Sequence, residues 1–151
     1  MDGGNRGADP RFLYCCDLEL LRAKKQAVEG ARLNIYNANS ATLLESLKFG
    51  IAGYSGIMAN FHPECYVWLL RNWEHAEAEA ADHLSSFLTM SSWIEKQLYP
   101  VNAKYYLMLE GVLSNYRCRV KDHSQFSATD RLEVEQVRRF SKAMAQQYAI
   151  S

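Results

Sequence analysis

A chain of 151 residues, 48% hydrophobic and 23% charged, is long enough to bury the core of one ordinary globular domain. Its 17 basic and 17 acidic side chains cancel, so it carries no basic field to hold phosphate backbones or anionic lipid, and neither nucleic acid nor membrane is expected as a partner. No apolar run approaches the roughly 20 residues that a bilayer requires, and the N-terminus has no apolar signal core, so a soluble, cytoplasmic protein is expected.

Residues 1–11 are rich in glycine and charge and lack apolar periodicity, which predicts a disordered tail. Phe12 to Cys16 is strand-compatible, and Asp17 is placed to cap a helix carrying Leu18, Leu21 and Val28, which Gly30 closes. A second short strand is predicted over Leu33 to Tyr36. The turn Asn37-Ala38-Asn39-Ser40 follows, with Ser40 the expected cap of a helix that carries Leu43, Leu44 and Leu47 and stops at Gly50.

The stretch from Gly50 to Pro63 organises the rest. Gly50, Gly53 and Gly56 bracket a short apolar run, so a third strand is predicted around Ile51 to Ile57, leading into a loop that another chain or a ligand can approach closely. His62-Pro63-Glu64 reads as a helix start, with proline at the first position and a carboxylate near the positive end of the dipole. That helix is expected to turn Val67, Leu70 and Trp73, or their neighbours, toward the core. Up to this point strand and helix alternate with a repeat of about 20 residues, the pattern of parallel βαβ units. From Ala76 onward only helical periodicities occur: about Glu77 to Gln97, Val101 to Asn115, and Ala128 to Tyr148 after a Ser127 cap. The expected organisation is a tail over 1–11, βα units over 12–75, and a helical region over 76–151.

Asp17-Leu18-Glu19-Leu20-Leu21, Leu43-Leu44-Glu45-Ser46-Leu47, the Gly50 to Pro63 segment and Tyr99-Pro100-Val101-Asn102-Ala103-Lys104 together resemble the C-terminal half of the dihydrodipicolinate synthase and N-acetylneuraminate lyase family. These are class I aldolases on a TIM barrel. The family's last barrel strand carries a glycine, two residues, another glycine, then Ala-Asn and a proline, here Gly50, Gly53, Ala59-Asn60 and Pro63. The match runs over about residues 15 to 140. It implies an α/β fold: part of a (β/α)8 barrel, about its last three strands with their helices, followed by a C-terminal helical extension.

The resemblance also implies a keto-acid ligand, commonly pyruvate, held as a Schiff base on a lysine of the sixth strand, and no cofactor. The position matching that lysine is Phe12, with Arg11 beside it, and neither can form an imine, because phenylalanine has no nucleophile and arginine stays protonated. The family's catalytic tyrosine and carboxylate-holding hydroxyls belong to earlier strands and have no counterpart in this chain. A closed barrel needs eight strands and usually about 250 residues, so three strands cannot close one. The expectation is an incomplete portion, inactive alone and without catalytic residues of its own. Because active sites of such barrels lie at the C-terminal ends of the strands, the residues expected nearest a substrate are Asn37 to Asn39 and Ser55 to Ile57, with Ala38, Asn39, Ser55 and Gly56 the ones expected to shape the pocket.

A Schiff-base lysine must be partly neutral at pH 7, which takes burial. Lys24, Lys25, Lys48 and Lys142 lie among polar neighbours and read as solvated surface, and Lys104 as a packing or salt-bridge residue. Cys15, Cys16, Cys65 and Cys118 have no Cys-x-x-Cys spacing and read as reduced, structural thiols. His62, His75, His83 and His123 have no ligand spacing, so no metal site is expected and each reads as surface or helix cap. Ser55 lies in Tyr-Ser-Gly without the full nucleophile-elbow pattern. Two functions stay open: a pyruvate-dependent aldolase-type lyase present as a portion, or a non-catalytic binding or assembly module that forms a homo-oligomer or joins an intact paralogue.

Overall fold

The computed structural model describes residues 12–15, as backbone, and residues 17–150; the predicted tail over 1–11 lies outside them. These residues fall into two compact units that divide between Gly56 and Ile57.

The first unit is a parallel sheet of three strands in the order β1-β2-β3, with β1 at Phe12–Cys15, β2 at Asn34–Asn37 and β3 at Gly53–Tyr54. Helix α1, Leu18–Ala27, starts as expected on Asp17, whose carboxylate accepts from the Leu20 amide at 2.8 Å. Gly30 and Gly50 both take positive φ, +81° and +87°, a conformation that glycine adopts without cost, and each lies just past the helix it ends. Helix α2, Leu43–Lys48, buries Leu43, Leu44, Ser46 and Leu47. The core of this unit gathers Leu21 from α1, Ile35 from β2 and Ile51 after α2, with Val28, Leu33 and Phe49 around them.

Two local expectations are corrected. β3 is two residues long instead of spanning Ile51 to Ile57, because the Ile51 amide still bonds back to Ser46 C=O at 3.2 Å and Ile57 already opens a 3₁₀ turn, Ile57–Asn60. The turn before α2 is capped by Asn39, which accepts from the Ala41 amide at 3.0 Å, and not by Ser40, whose hydroxyl is buried and bonded elsewhere.

The second unit holds α3 (Pro63–Asn72), α4 (Ala78–Ser91) with a 3₁₀ turn at Ser92–Lys96, α5 (Val101–Leu109) and α6 (Ala128–Gln147). No strand follows β3 among the described residues. Ser127 starts α6 with a capping box: its hydroxyl accepts from the Asp130 amide at 3.1 Å, and the Asp130 carboxylate accepts from the Ser127 amide at 2.8 Å. Helix α5 ends six residues earlier than its periodicity predicts, because Gly111 turns the chain with φ +76°. On α3 the buried face is Cys65, Tyr66 and Leu69, one residue back from the expected Val67 and Leu70, and Val67 is 40% exposed.

Aromatic rings fill this second core. Phe61 meets Tyr106 edge-on at 5.4 Å, Tyr105 meets Phe126 at 5.5 Å, and Phe87 meets Phe140 at 5.0 Å. His62 belongs with them: it stands at the N-cap position of α3, one of the two places expected for it, but its side chain makes no cap bond and is buried, not on the surface. It is fully buried, parallel to the Tyr66 ring at 5.7 Å and 5.0 Å from Phe87, with Nε2 at 3.3 Å from Ser91 Oγ and no partner for Nδ1. Burial drives its pKa down to about 3, so the ring is neutral.

Candidate functional site

The four candidate residues follow β2 and β3, and the local pairing explains their arrangement. Tyr36 lies beside Gly53 and Asn37 beside Tyr54 in the parallel register. Side chains alternate along a strand, so Asn37 shares its face with the core residue Ile35, while Tyr36 and Gly53 lie on the other. Gly53 leaves room for the Tyr36 ring: a Cβ there would stand 3.2 Å from Tyr36 Cε1.

Asn37 is fully buried and anchors the turn after β2. Its Nδ2 donates to Thr42 Oγ1 and to Ser46 Oγ, both at 3.0 Å, and its Oδ1 accepts from the Asn39 amide at 2.7 Å. Its own carbonyl accepts from the Ser55 amide at 2.7 Å, which carries the sheet pairing one residue past β3. Ala38 and Asn39 are half-buried on this turn, and the Asn39 side chain is engaged in capping.

The loop after β3 closes against this turn. Tyr54 and Ser40 share a hydrogen bond between their hydroxyls at 3.0 Å. A Cβ on Gly56 would stand 2.2 Å from the Tyr54 hydroxyl and 2.8 Å from the Ala38 carbonyl oxygen, so only glycine fits beneath that phenol. Ser55, between them, is exposed. The structure therefore brings Ala38 and Gly56 together and sets Ser55 next to them, with Asn39 turned to its cap.

Sequence reasoning placed Asn37 at the rim without its anchoring role, and missed Tyr54. Asn37 gave a signal, a polar residue ending a strand and opening an asparagine turn. Tyr54, lying between glycines, gave none. Together the rim offers hydroxyls and backbone groups that can hold and orient a small polar ligand. It offers no amine. Every described lysine is at least partly exposed; Lys48 pairs with Glu45 at 2.6 Å, Lys142 with Glu110 at 3.3 Å, and Lys104 donates to the Arg117 carbonyl at 2.8 Å. None is enclosed by apolar side chains as an imine-forming amine is.

Elsewhere, Cys65 and Cys118 are free thiols, and burial pushes Cys65 up to about 12, which makes it unreactive. Among the described residues no three histidine, cysteine or acidic side chains gather as a metal site, and no helix is long and apolar enough to cross a membrane.

The profile of the Dihydrodipicolinate synthetase family matches residues 16–137. Among solved structures, N-acetylneuraminate lyase from Fusobacterium nucleatum is similar over 85% of this chain, with a TM-score of 0.68 and 17% identity. A dihydrodipicolinate synthase family protein from Coccidioides immitis is similar over 93%, with 0.68 and 15%. The Fusobacterium lyase complexed with pyruvate is similar over 90%, with 0.62 and 20%. The chain spans 43% of the length of the Fusobacterium enzyme and 47% of that of the Coccidioides protein. No curated protein matches it. At these identities the structural likeness is one of fold, an α/β arrangement of parallel strands and helices, and the matched profile covers most of the sequence. The chain belongs to the dihydrodipicolinate synthetase family.

Proposed function

We propose that this chain contributes the last three βα units of a (β/α)8 barrel, over residues 12–75, and that the turns after β2 and β3 form one wall of a site for a pyruvate-like 2-keto acid. The helical region over 76–151 follows as an extension. In this reading Ala38, Asn39, Ser55 and Gly56 shape the pocket without doing chemistry, and the imine-forming lysine of the aldolase mechanism does not come from this chain. The observation that carries the reading is that the candidate turns meet at the C-terminal ends of adjacent parallel strands, where barrels of this kind hold their substrates. Family membership, a neighbour whose structure holds pyruvate, and lysines that all reach solvent support it.

The test is trapping. Treating the purified chain with pyruvate and borohydride is expected to leave its mass unchanged, whereas a pyruvyl adduct on one of its lysines would overturn the claim that the imine is formed elsewhere.

A second reading is an assembly module, homo-oligomeric or joined to an intact relative. It draws on the second unit, where Met90, Trp93 and Phe140, 67%, 61% and 52% exposed, line a groove of about 450 Å³. Size-exclusion of the chain alone and mixed with an intact family member separates the two.

A further inference from the structure

We infer that Tyr54 is the positioning residue of this rim, the side chain that locks the turn after β2 to the loop after β3. The inference rests on the keto-acid reading above and adds to it a residue that the candidate set does not contain.

Among the described contacts, three join the two segments. The first is backbone pairing, Ser55 N–H to Asn37 C=O at 2.7 Å, which fixes the strand ends but not the turns beyond them. The second is close packing of Gly56 on the Ala38 carbonyl. The third is the Tyr54 phenol, which crosses the space a Gly56 side chain would fill and reaches the Ser40 hydroxyl at 3.0 Å. Of these, the phenol reaches beyond Asn39 to Ser40, on the far side of the turn.

The sides of the strand give the phenol its role. Tyr54 pairs with Asn37 and shares its core-facing side, where its hydroxyl meets that of Ser40. Tyr54 therefore cannot be read as a wall of the pocket beside Ser55. It lies behind the wall and sets where Ala38 and Gly56 stand. Gly56 is glycine to admit the phenol, and its closeness to Ala38 follows from that. A hydroxyl pair of this kind contributes on the order of a few-fold in an equilibrium constant, enough to tune a weak small-molecule site.

The test uses the full chain with Tyr54→Phe, which keeps the ring and removes the hydroxyl, and Ser40→Ala, which removes its partner. Pyruvate binding followed by NMR titration is expected to weaken about five-fold in either variant and no further in the double variant, with Ser40→Thr keeping wild-type affinity. Amide hydrogen exchange is the second arm: Tyr54→Phe should speed exchange at residues 38–40 and 55–57 together, leaving Leu21 and Ile35 as they were. If the wild type alone binds no pyruvate, one wall does not suffice to hold the ligand, and the exchange arm decides the role of Tyr54. Unchanged exchange, faster exchange in only one of the two segments, or additive losses in the double variant would overturn the inference.

Discussion

Asn37 and His62 are both fully buried polar side chains, one in each unit, and their surroundings satisfy them in opposite ways. Asn37 makes three hydrogen bonds of 2.7 to 3.0 Å and so fixes a turn. His62 makes one at 3.3 Å and is otherwise held between rings, with one nitrogen left over. The first unit uses its buried polar atoms as fasteners for the rim of a candidate site. The second packs around a polar group that it keeps uncharged. Burial alone therefore says little about a polar residue; its partners decide whether it orders a loop or restricts the pH range of the fold.

Three changes would sharpen or break that contrast. Leu84 is fully buried in the aromatic unit, and Leu84→Ala is expected to cost about 3–5 kcal/mol. Urea unfolding followed by tryptophan fluorescence reports on this unit, since Trp68, Trp73 and Trp93 all belong to it; a loss well under 2 kcal/mol would mean that packing does not dominate there.

Next comes Asn37→Ala, which takes the side-chain donor from the Thr42 and Ser46 hydroxyls and the side-chain acceptor from the Asn39 amide. It is expected to cost about 2–3 kcal/mol and to raise amide exchange in the turn 38–42. Exchange that stayed slow would show the backbone pairing to Ser55 to be the stronger fastener.

The smallest effect is the acid sensitivity of His62. Its folded pKa, about 3, lies below the ordinary 6.5, so as pH falls from 6.5 toward 3 the unfolded chain takes up a proton that the folded chain refuses. Stability should fall through that window by up to about 1.4 kcal/mol per pH unit, about 2 kcal/mol by pH 5. His62→Asn should flatten the profile; a profile equally steep in the variant would assign it to other groups.

What the sequence made legible was local. Asp17, Gly30, Gly50 and Ser127 each announce a helix end by a property of one or two residues, and each stands where that property predicts. The parallel strand and helix alternation was legible for the same reason. On α3 the buried Tyr66 and Leu69 are the neighbours of Val67 and Leu70, since apolar spacing alone fixes a helix face only to within a residue. The burial of His62 could not be read, since Phe87 and Ser91 lie more than twenty residues away along the chain. At the rim, the positions of Ala38 and Gly56 could be inferred from strand order. The link between Ser40 and Tyr54 could not, because it spans a whole helix and nothing in either residue's neighbours announces the other.

The fit of Gly56 under Tyr54 also restricts how this sequence can drift. A Cβ at 56 would collide with both the hydroxyl and the Cζ of residue 54, at 2.2 and 2.3 Å, so shortening the phenol to phenyl relieves only part of the conflict. Even with a small residue at 54, the Ala38 carbonyl oxygen would stand 2.8 Å from that Cβ, so position 56 is closed from two sides, once by a side chain and once by backbone.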